Sequence, residues 1–244
     1  MSSLSLVLRT PSGISGDMLL TGLARLAEVS NAELAGLIDA LGVPALADTT
    51  RIEAHKVNGV SGWRAQIDLP HEHHHRTLKT ILALIAASAL SQPAKDLASR
   101  TFTVLAEAEA KVHDMPVEEV HFHEVGALDS ILDICLAAAL FTRLDPGRFY
   151  CSPLPICDGV IRCEHGLLAS PPPAVQEMLV GVPVYGVDAQ GETVTPTALA
   201  FLRAAGAIFG RWPQCEVRSS VRAYGGKVFA NLPNGAIFFT VLEP

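Results

Sequence analysis

Apolar positions in the first 144 residues recur at helical spacing in long segments and at strand spacing in short ones. Repeats every three to four residues are typical of a helix with one buried face, and short apolar runs between turns are typical of buried strands. This pattern predicts helices at 18–29, 76–90, 95–113 and 127–144. Three further helices are introduced by turns at 30–31, 171–173 and 195–197 and extend to residues 42, 180 and 205. Strands are predicted at 4–8, 51–57, 63–69, 216–223 and 236–242, with a short extended segment at 117–123.

The order of these elements indicates the fold class. Strands alternate with helices early, whereas beyond Pro146 proline and glycine become frequent and the elements become short. Alternation favours an α/β arrangement, and short hairpin-like strands favour α+β. We therefore expect an α/β or α+β fold in which helices flank a mixed sheet. We expect one domain over residues 1–244; a subdomain boundary near residue 146 is the alternative, although no flexible linker occurs there.

Composition narrows the class of protein. The chain is 49% hydrophobic and 18% charged, which is typical of globular proteins. Its formal net charge of -7 and the lack of a basic stripe argue against a nucleic-acid partner. The longest apolar runs, 81–90 and 134–141, are too short to cross a membrane. The five cysteines include no C-x-x-C pair, so we expect a cytoplasmic protein with reduced thiols. Open sheet edges and apolar helices favour a homo-oligomer.

Four of the nine histidines lie in one pentapeptide, at positions 71 and 73–75. Imidazole is the commonest protein ligand for divalent transition metals. In an extended loop His71, His73 and His75 would face the same way. We interpret the block as a metal-binding loop. The alternative is a solvated loop that binds metal only adventitiously.

A second histidine cluster, His121-Phe-His123-Glu124, precedes the helix predicted at 127–144. Alternate residues of an extended segment share a face, so the two imidazoles can converge on one ion, and Glu124 could complete the shell. Asp129 and Asp133 are four residues apart on one helix face and could be ligands or could orient an imidazole. The alternative for the aspartates is a favourable interaction with the helix dipole, and for the histidines it is packing with hydrogen bonds.

The turn that joins the first strand to the first helix contains Ser12, Gly13, Ser15, Gly16 and Asp17. Free backbone N–H groups at a helix start form an anion site, and glycine lets a phosphate approach closely. The turn is neither a Walker A loop nor a dinucleotide-binding motif. The alternative is an ordinary connection in which Ser15 or Asp17 caps the helix.

Several segments in order along the chain resemble the LarC family, the nickel insertion proteins of nickel-pincer cofactor biosynthesis. The most specific is Val-His-Phe-His-Glu-Val-Gly-Ala-Leu-Asp-Ser-Ile at 120–131. The other matching segments are Ser-Gly-Ile-Ser-Gly-Asp-Met at 12–18, the histidine block ending at Arg76, Leu-Ala-Glu-Ala-Glu-Ala-Lys-Val-His at 105–113, Ser-Pro-Leu-Pro at 152–155, Arg-Cys at 162–163, His-Gly at 165–166, Gly-Val-Pro-Val-Tyr at 181–185 and Val-Thr-Pro-Thr at 194–197.

The resemblance implies a function. Family members insert Ni(II) into pyridinium-3,5-bisthiocarboxylate mononucleotide to give an organonickel pincer, and the reaction is linked to CTP hydrolysis with Mn or Mg. On this reading His121, His123 and Glu124 form the internal metal site and act in catalysis with Asp129. The loop bearing His71, His73 and His75 would collect nickel and pass it inward. The turn of Ser12, Gly13, Ser15, Gly16 and Asp17 would hold the mononucleotide phosphate.

The chain also departs from the family pattern. Arg9 stands where members carry an acidic residue, Pro11 replaces a phenylalanine, and the proline-rich stretch is followed by Ala174-Val175 instead of Ala-Thr. Full-length members continue into a C-terminal domain that carries CTP binding. We therefore expect this chain to correspond to the N-terminal portion and to act with a separate CTP-binding domain or subunit.

Three alternatives to a nickel chelatase remain open. The chain could be a nickel carrier or store with no chemistry of its own. It could be a degenerate paralogue that kept the fold and lost the activity, which Arg9 and the short length favour. A metal-dependent hydrolase is the third alternative, because His, Glu and Asp around one ion can activate water, but no hydrolase motif is present.

Overall fold

A computed structural model describes residues 4–69, 76–122, 126–163 and 166–244. The described residues form seven α-helices and two short 3-10 turns. The helices are α1 (Gly16–Leu26), α2 (Asn31–Asp39), α3 (Leu78–Ala87), α4 (Gln92–His113), α5 (Leu128–Leu144), α6 (Pro173–Leu179) and α7 (Pro196–Ala204).

Thirteen strands occur in the same ranges, and seven of them form one sheet with the order β11-β6-β1-β13-β12-β3-β2. The strands are β1 (Leu4–Arg9), β2 (Thr50–Val57), β3 (Val60–Ile67), β4 (Arg76–Thr77), β5 (His121–Phe122), β6 (Arg148–Cys151), β7 (Leu154–Ile156), β8 (Val160–Cys163), β9 (Gly166–Ala169), β10 (Val184–Gly186), β11 (Ile208–Phe209), β12 (Glu216–Ala223) and β13 (Ala236–Leu242).

The sheet is mixed around its central strand β1. This strand is antiparallel to β13 and parallel to β6. Further out, β13 pairs antiparallel with β12, which lies parallel to β3. The expected α/β fold with a mixed sheet flanked by helices is therefore confirmed.

The core forms between the sheet and the helices because α1 approaches the sheet closely. Nearly every residue of α1 is buried, and the helix contacts β3, β12, β13 and α5. Gly22 makes the approach to the sheet feasible, since a Cβ atom there would overlap the ring of Phe238 on β13. Behind α1, helix α5 is buried over most of its length, and it also packs against α4 and α7.

Most long elements lie where the apolar periodicity predicts them, including α2, whose start is fixed by a capping box. The Ser30 side chain accepts from the Glu33 backbone N–H, and the Glu33 side chain accepts in turn from the Ser30 backbone N–H. The extended segment predicted at 117–123 is wrong for its first part, because Val117–Glu119 forms a 3-10 turn before β5. Pro116 precedes this turn and fits the start of a tight helical turn.

The sheet takes strands from both sides of residue 146, since β1 pairs with β6. A single domain over 1–244, or a subdomain boundary near 146, stays a prediction. None of the helices in the described ranges combines the length and apolar character needed to cross a bilayer.

The close approach of α1 predicts opposite effects for two glycine substitutions. We expect Gly22→Ala to lower the free energy of unfolding by about 1–3 kcal/mol, because the added methyl group overlaps Phe238 in a packed core. We expect Gly36→Ala in α2 to raise it by up to about 1 kcal/mol, because nothing lies within 4 Å of the added group and alanine favours the helix. Urea unfolding followed by circular dichroism measures both. Equal effects of the two substitutions would contradict this account of α1.

Candidate functional site

The turn between β1 and α1 is held against a second loop, which precedes α7. The Ile14 backbone N–H donates to the Thr193 carbonyl oxygen at 2.9 Å, and the Thr195 N–H donates to the Ile14 carbonyl at 3.1 Å. Gly13 has a φ of 104°, and a Cβ atom at this position would overlap the Thr193 carbonyl. Only glycine accommodates both the backbone angle and the contact. The two loops therefore bring the starts of α1 and α7 together.

A cavity of about 260 Å³ opens beside these two helix starts. Ser12, Ser15, Asp17 and Met18 line it from the first turn and α1. Ile14 of the same turn also lines the cavity. The remaining lining residues come from the loop before α7 and from the segment between β12 and β13: Glu192, Thr193, Thr195, Gly225, Gly226, Lys227, Phe229 and Gly235. The cavity combines hydroxyl groups, carboxylates and one ammonium group, so it is suited to a polar, charged ligand.

Asp17 carries the carboxylate at the start of α1. Its Oδ1 atom accepts a hydrogen bond from the Ser15 hydroxyl and another from the Met18 backbone N–H, the latter at 2.9 Å. Burial raises the pKa of Asp17 above its ordinary value, although these hydrogen bonds and nearby Arg64 act in the opposite direction. The desolvation of the carboxylate therefore outweighs its local stabilisation.

Asp133, on the second turn of α5, lies directly behind this site. Its carboxylate contacts Gly16, where a Cβ atom would overlap it. Its Oδ1 atom is buried and has no hydrogen-bond partner within the described part of the chain. Burial raises the pKa of Asp133 well above its ordinary value, and the charges of Asp17 and then Asp129 raise it further. Burial therefore disfavours ionisation of both carboxyl groups, and the interaction with Asp17 adds to this effect at Asp133.

Asp129 and Asp133 share a helix but lie in different surroundings. Asp129 is exposed, and its Oδ1 atom accepts from the Ser130 backbone N–H at 2.7 Å. This is the arrangement expected of a carboxylate at a helix start. Asp129 acts on Asp133 through its charge.

His121 lies on β5, in a two-stranded pair with β4, where it is opposite Thr77 and exposed. The pair is tied to the start of α5, because the Arg76 guanidinium donates to the Gly126 carbonyl at 3.0 Å. The sequence-predicted metal segment therefore leads directly into the helix that carries Asp129 and Asp133.

The other predicted metal ligands, His71, His73, His75, His123 and Glu124, lie outside the described residues. Their roles stay predictions. Among the residues that are described, no group of three or more His, Cys, Asp or Glu side chains is arranged to hold a metal ion.

Sequence reasoning predicted one wall of the cavity and missed the other. Ser12, Ser15 and Asp17 line the cavity, whereas Gly13 contacts the neighbouring loop and Gly16 contacts Asp133. The opposite wall of Gly225, Gly226 and Lys227 was not among the predicted residues. A Gly-Gly-Lys segment directly after a predicted strand was the available signal, because glycines and a lysine in a loop are common near phosphates.

The fold and the cavity define an α/β protein with a cavity that is lined by charged residues at paired helix starts. Residues 6–240 match the family model of the nickel insertion proteins. The chain therefore belongs to the nickel insertion protein family, as its resemblance to LarC implied.

Curated relatives agree with this membership. A relative in Geotalea daltonii, also named for nickel insertion, is 42% identical over 226 residues, which are 91% of this chain and 57% of the relative. Two relatives are named pyridinium-3,5-bisthiocarboxylic acid mononucleotide nickel insertion protein. The one in Desulfitobacterium hafniense is 39% identical over 84% of this chain and 50% of its own length. The one in Staphylococcus epidermidis is 35% identical over 94% of this chain and 57% of its own length.

The chain thus spans about half the length of the curated relatives it matches. No solved structure matches it.

The surroundings of Asp133 predict a stability that depends on pH. A carboxyl group whose pKa is raised by folding costs stability once the pH rises above its unfolded value, here near 3.8. We expect Asp133→Asn to remove this cost and to raise the free energy of unfolding at pH 7 by on the order of 1 kcal/mol. The gain should disappear toward pH 3, where the carboxyl group is protonated in both states. Urea unfolding at several pH values in the presence of EDTA measures it.

Asp129→Asn is the matched control, because Asp129 lies on the same helix but is exposed. Its effect should stay within about 0.5 kcal/mol at every pH. Loss of stability at pH 7 in Asp133→Asn would mean that the Asp133 charge is compensated in the folded protein.

Proposed function

We propose that this chain takes part in inserting Ni(II) into pyridinium-3,5-bisthiocarboxylate mononucleotide during nickel-pincer cofactor biosynthesis. The names of two relatives, which specify nickel insertion and this mononucleotide, support the proposal. Nickel is the cargo of the reaction, and the mononucleotide is its acceptor. The chain would act in the cytoplasm as a nickel chelatase.

The observation that carries the proposal is the packing of α1 against α5. This packing brings the cavity-lining turn of Ser15 and Asp17 against Asp133, only one helical turn beyond Asp129. The segment that contains His121 leads into the same helix. A ligand cavity and an imidazole-bearing segment at adjoining helix starts are what a transfer of nickel onto an organic ligand requires.

In this proposal each predicted residue has a defined role. His121, His123 and Glu124 hold nickel, and Asp129 supports them from the start of α5. The loop bearing His71, His73 and His75 captures nickel from solution through neutral imidazoles. The turn of Ser12, Gly13, Ser15, Gly16 and Asp17 contributes to the mononucleotide site; the resemblance to the family implied that it holds the phosphate.

The direction of transfer follows from ligand chemistry. Imidazole binds nickel well, but the two sulfur donors of the thiocarboxylates are softer and chelate the ion together. A bound mononucleotide would therefore withdraw nickel from the imidazoles. We further propose that Mn- or Mg-CTP acts through a separate CTP-binding domain or subunit, the C-terminal LarC partner, and that the chain forms a homo-oligomer.

Nickel titration by calorimetry tests the proposal. We expect the wild-type chain to bind nickel at an internal site whose affinity rises when the pincer precursor is added. Combined His121→Ala and His123→Ala substitutions should weaken nickel binding at this site by on the order of 100-fold, because two of the proposed imidazole ligands are lost. Deletion of residues 71–75 should lower the nickel stoichiometry and leave the internal site in place.

His55→Ala is the matched control, because His55 lies on the sheet strand β2 and outside the proposed site. It should leave both nickel affinity and stoichiometry unchanged. If all tight binding disappears with the 71–75 deletion and the precursor has no effect, the chain is a nickel carrier or a degenerate paralogue. The chelatase proposal would then be wrong.

A further inference from the structure

The two walls of the cavity carry opposite charge. The wall formed by α1 contributes the Asp17 carboxylate, and the loop before α7 adds Glu192. The segment between β12 and β13 contributes Lys227, which is the one basic residue among the described cavity-lining residues. An anionic group of a ligand would therefore bind near Lys227 and not near Asp17.

Lys227 is held in place but keeps donors for a ligand. Its Nζ atom donates to the Gln190 carbonyl at 2.5 Å, and it lies 4.9 Å from the centre of the Phe229 ring. An ammonium group has three N–H donors. One is used by Gln190, so the others remain available to an anion in the cavity.

The backbone before Lys227 allows an anion to approach closely. A Cβ atom at Gly225 would lie 3.1 Å from Met18 Sδ and 3.2 Å from the Ser15 hydroxyl, so this segment packs tightly against the α1 wall. At Gly226 the nearest atom to an added Cβ is Arg64 Nη2, at 3.8 Å. Two glycines flanked by Arg64 and Lys227 provide backbone N–H groups and positive charge together, a combination that favours phosphate.

The start of α1 is less suited to a phosphate, because the carboxyl groups of Asp17 on α1 and Asp133 on α5 lie there. Asp17 accepts from the Met18 backbone N–H, and the Asp133 carboxylate contacts Gly16. A phosphate placed there would meet two carboxyl groups.

We infer that Lys227 and the Gly225–Gly226 segment bind the phosphate of a pyridinium mononucleotide. This assignment rests on the proposed function and places the phosphate at the segment between β12 and β13, not at the turn of Ser12 to Asp17 where the sequence predicted it. The cavity volume of about 260 Å³ lies just below the usual range for small-molecule pockets, which suits one nucleotide better than a dinucleotide. Lys227 is thus a specificity-determining residue that selects the phosphorylated ligand.

The test compares two probes, nicotinate mononucleotide and nicotinate riboside, which differ only in the phosphate. Calorimetry measures both against the wild-type chain and Lys227→Met. We expect the wild type to prefer the mononucleotide by about 10- to 100-fold, the range typical of hydrogen bonds to a charged group. Lys227→Met should lose most of this preference and should bind the riboside within about twofold of the wild type.

Two further variants separate this interaction from loss of folding. Lys227→Arg keeps the charge and should retain the preference for the mononucleotide to within a few-fold. Lys56→Met removes an exposed lysine on β2 and should change nothing. Circular dichroism melting curves check that each variant is folded.

The phosphate assignment is overturned if Lys227→Met weakens both probes equally, or if the wild type binds neither probe or does not discriminate between them. Nickel titration of the same proteins without a probe separates this failure from failure of the proposed function. Intact nickel binding without phosphate preference rejects only the role of Lys227. Phosphate preference without an internal nickel site rejects the insertion function and leaves the cavity assignment in place.

Discussion

The close packing of α1 against both the sheet and α5 is the constraint on which the rest of the molecule depends. Gly22 lets α1 approach Phe238 on β13, and Gly16 lets it approach Asp133 on α5. The first contact closes the core, and the second brings a buried carboxyl group behind the cavity. A side chain at either glycine would separate elements that both the core and the site require to be in contact. Stability and site geometry are therefore fixed by the same helix.

The fold could be predicted from the sequence where an element carries its own signal. Helices α4 and α5 are long and strongly periodic, and strands β12 and β13 match their apolar pattern. The two-residue strands β4 and β11 could not be predicted, because two residues have no periodicity and their pairing depends on distant partners, whereas β5 lies within the extended segment predicted at 117–123. The 3-10 turn at Val117–Glu119 reads as extended for the same reason.

Part of the candidate site could likewise be predicted from the sequence, and part could not. The turn of Ser12 to Asp17 is visible in the sequence because glycines and hydroxyl residues cluster there. Lys227 reaches the same cavity from more than two hundred positions away, and only the tertiary fold reveals this contact. Asp129 and Asp133 look equivalent on a helical face, yet one is exposed and the other has a buried oxygen. Asp133 is buried because it packs against Gly16 of α1, and no local sequence pattern encodes this contact.

The central position of β1 has a consequence for how the chain is made. Its neighbours β6 and β13 come from much later in the sequence, and the Ser5 hydroxyl donates to the Glu243 carboxylate, 238 positions away. Such non-local pairing slows folding, because loop closure precedes the contacts that reward it. During synthesis β1 emerges first and must wait for both partners with its backbone edges unpaired. A nascent chain of this kind is exposed to aggregation until β13 is available, and chaperones that cover apolar strands would be expected to improve its yield.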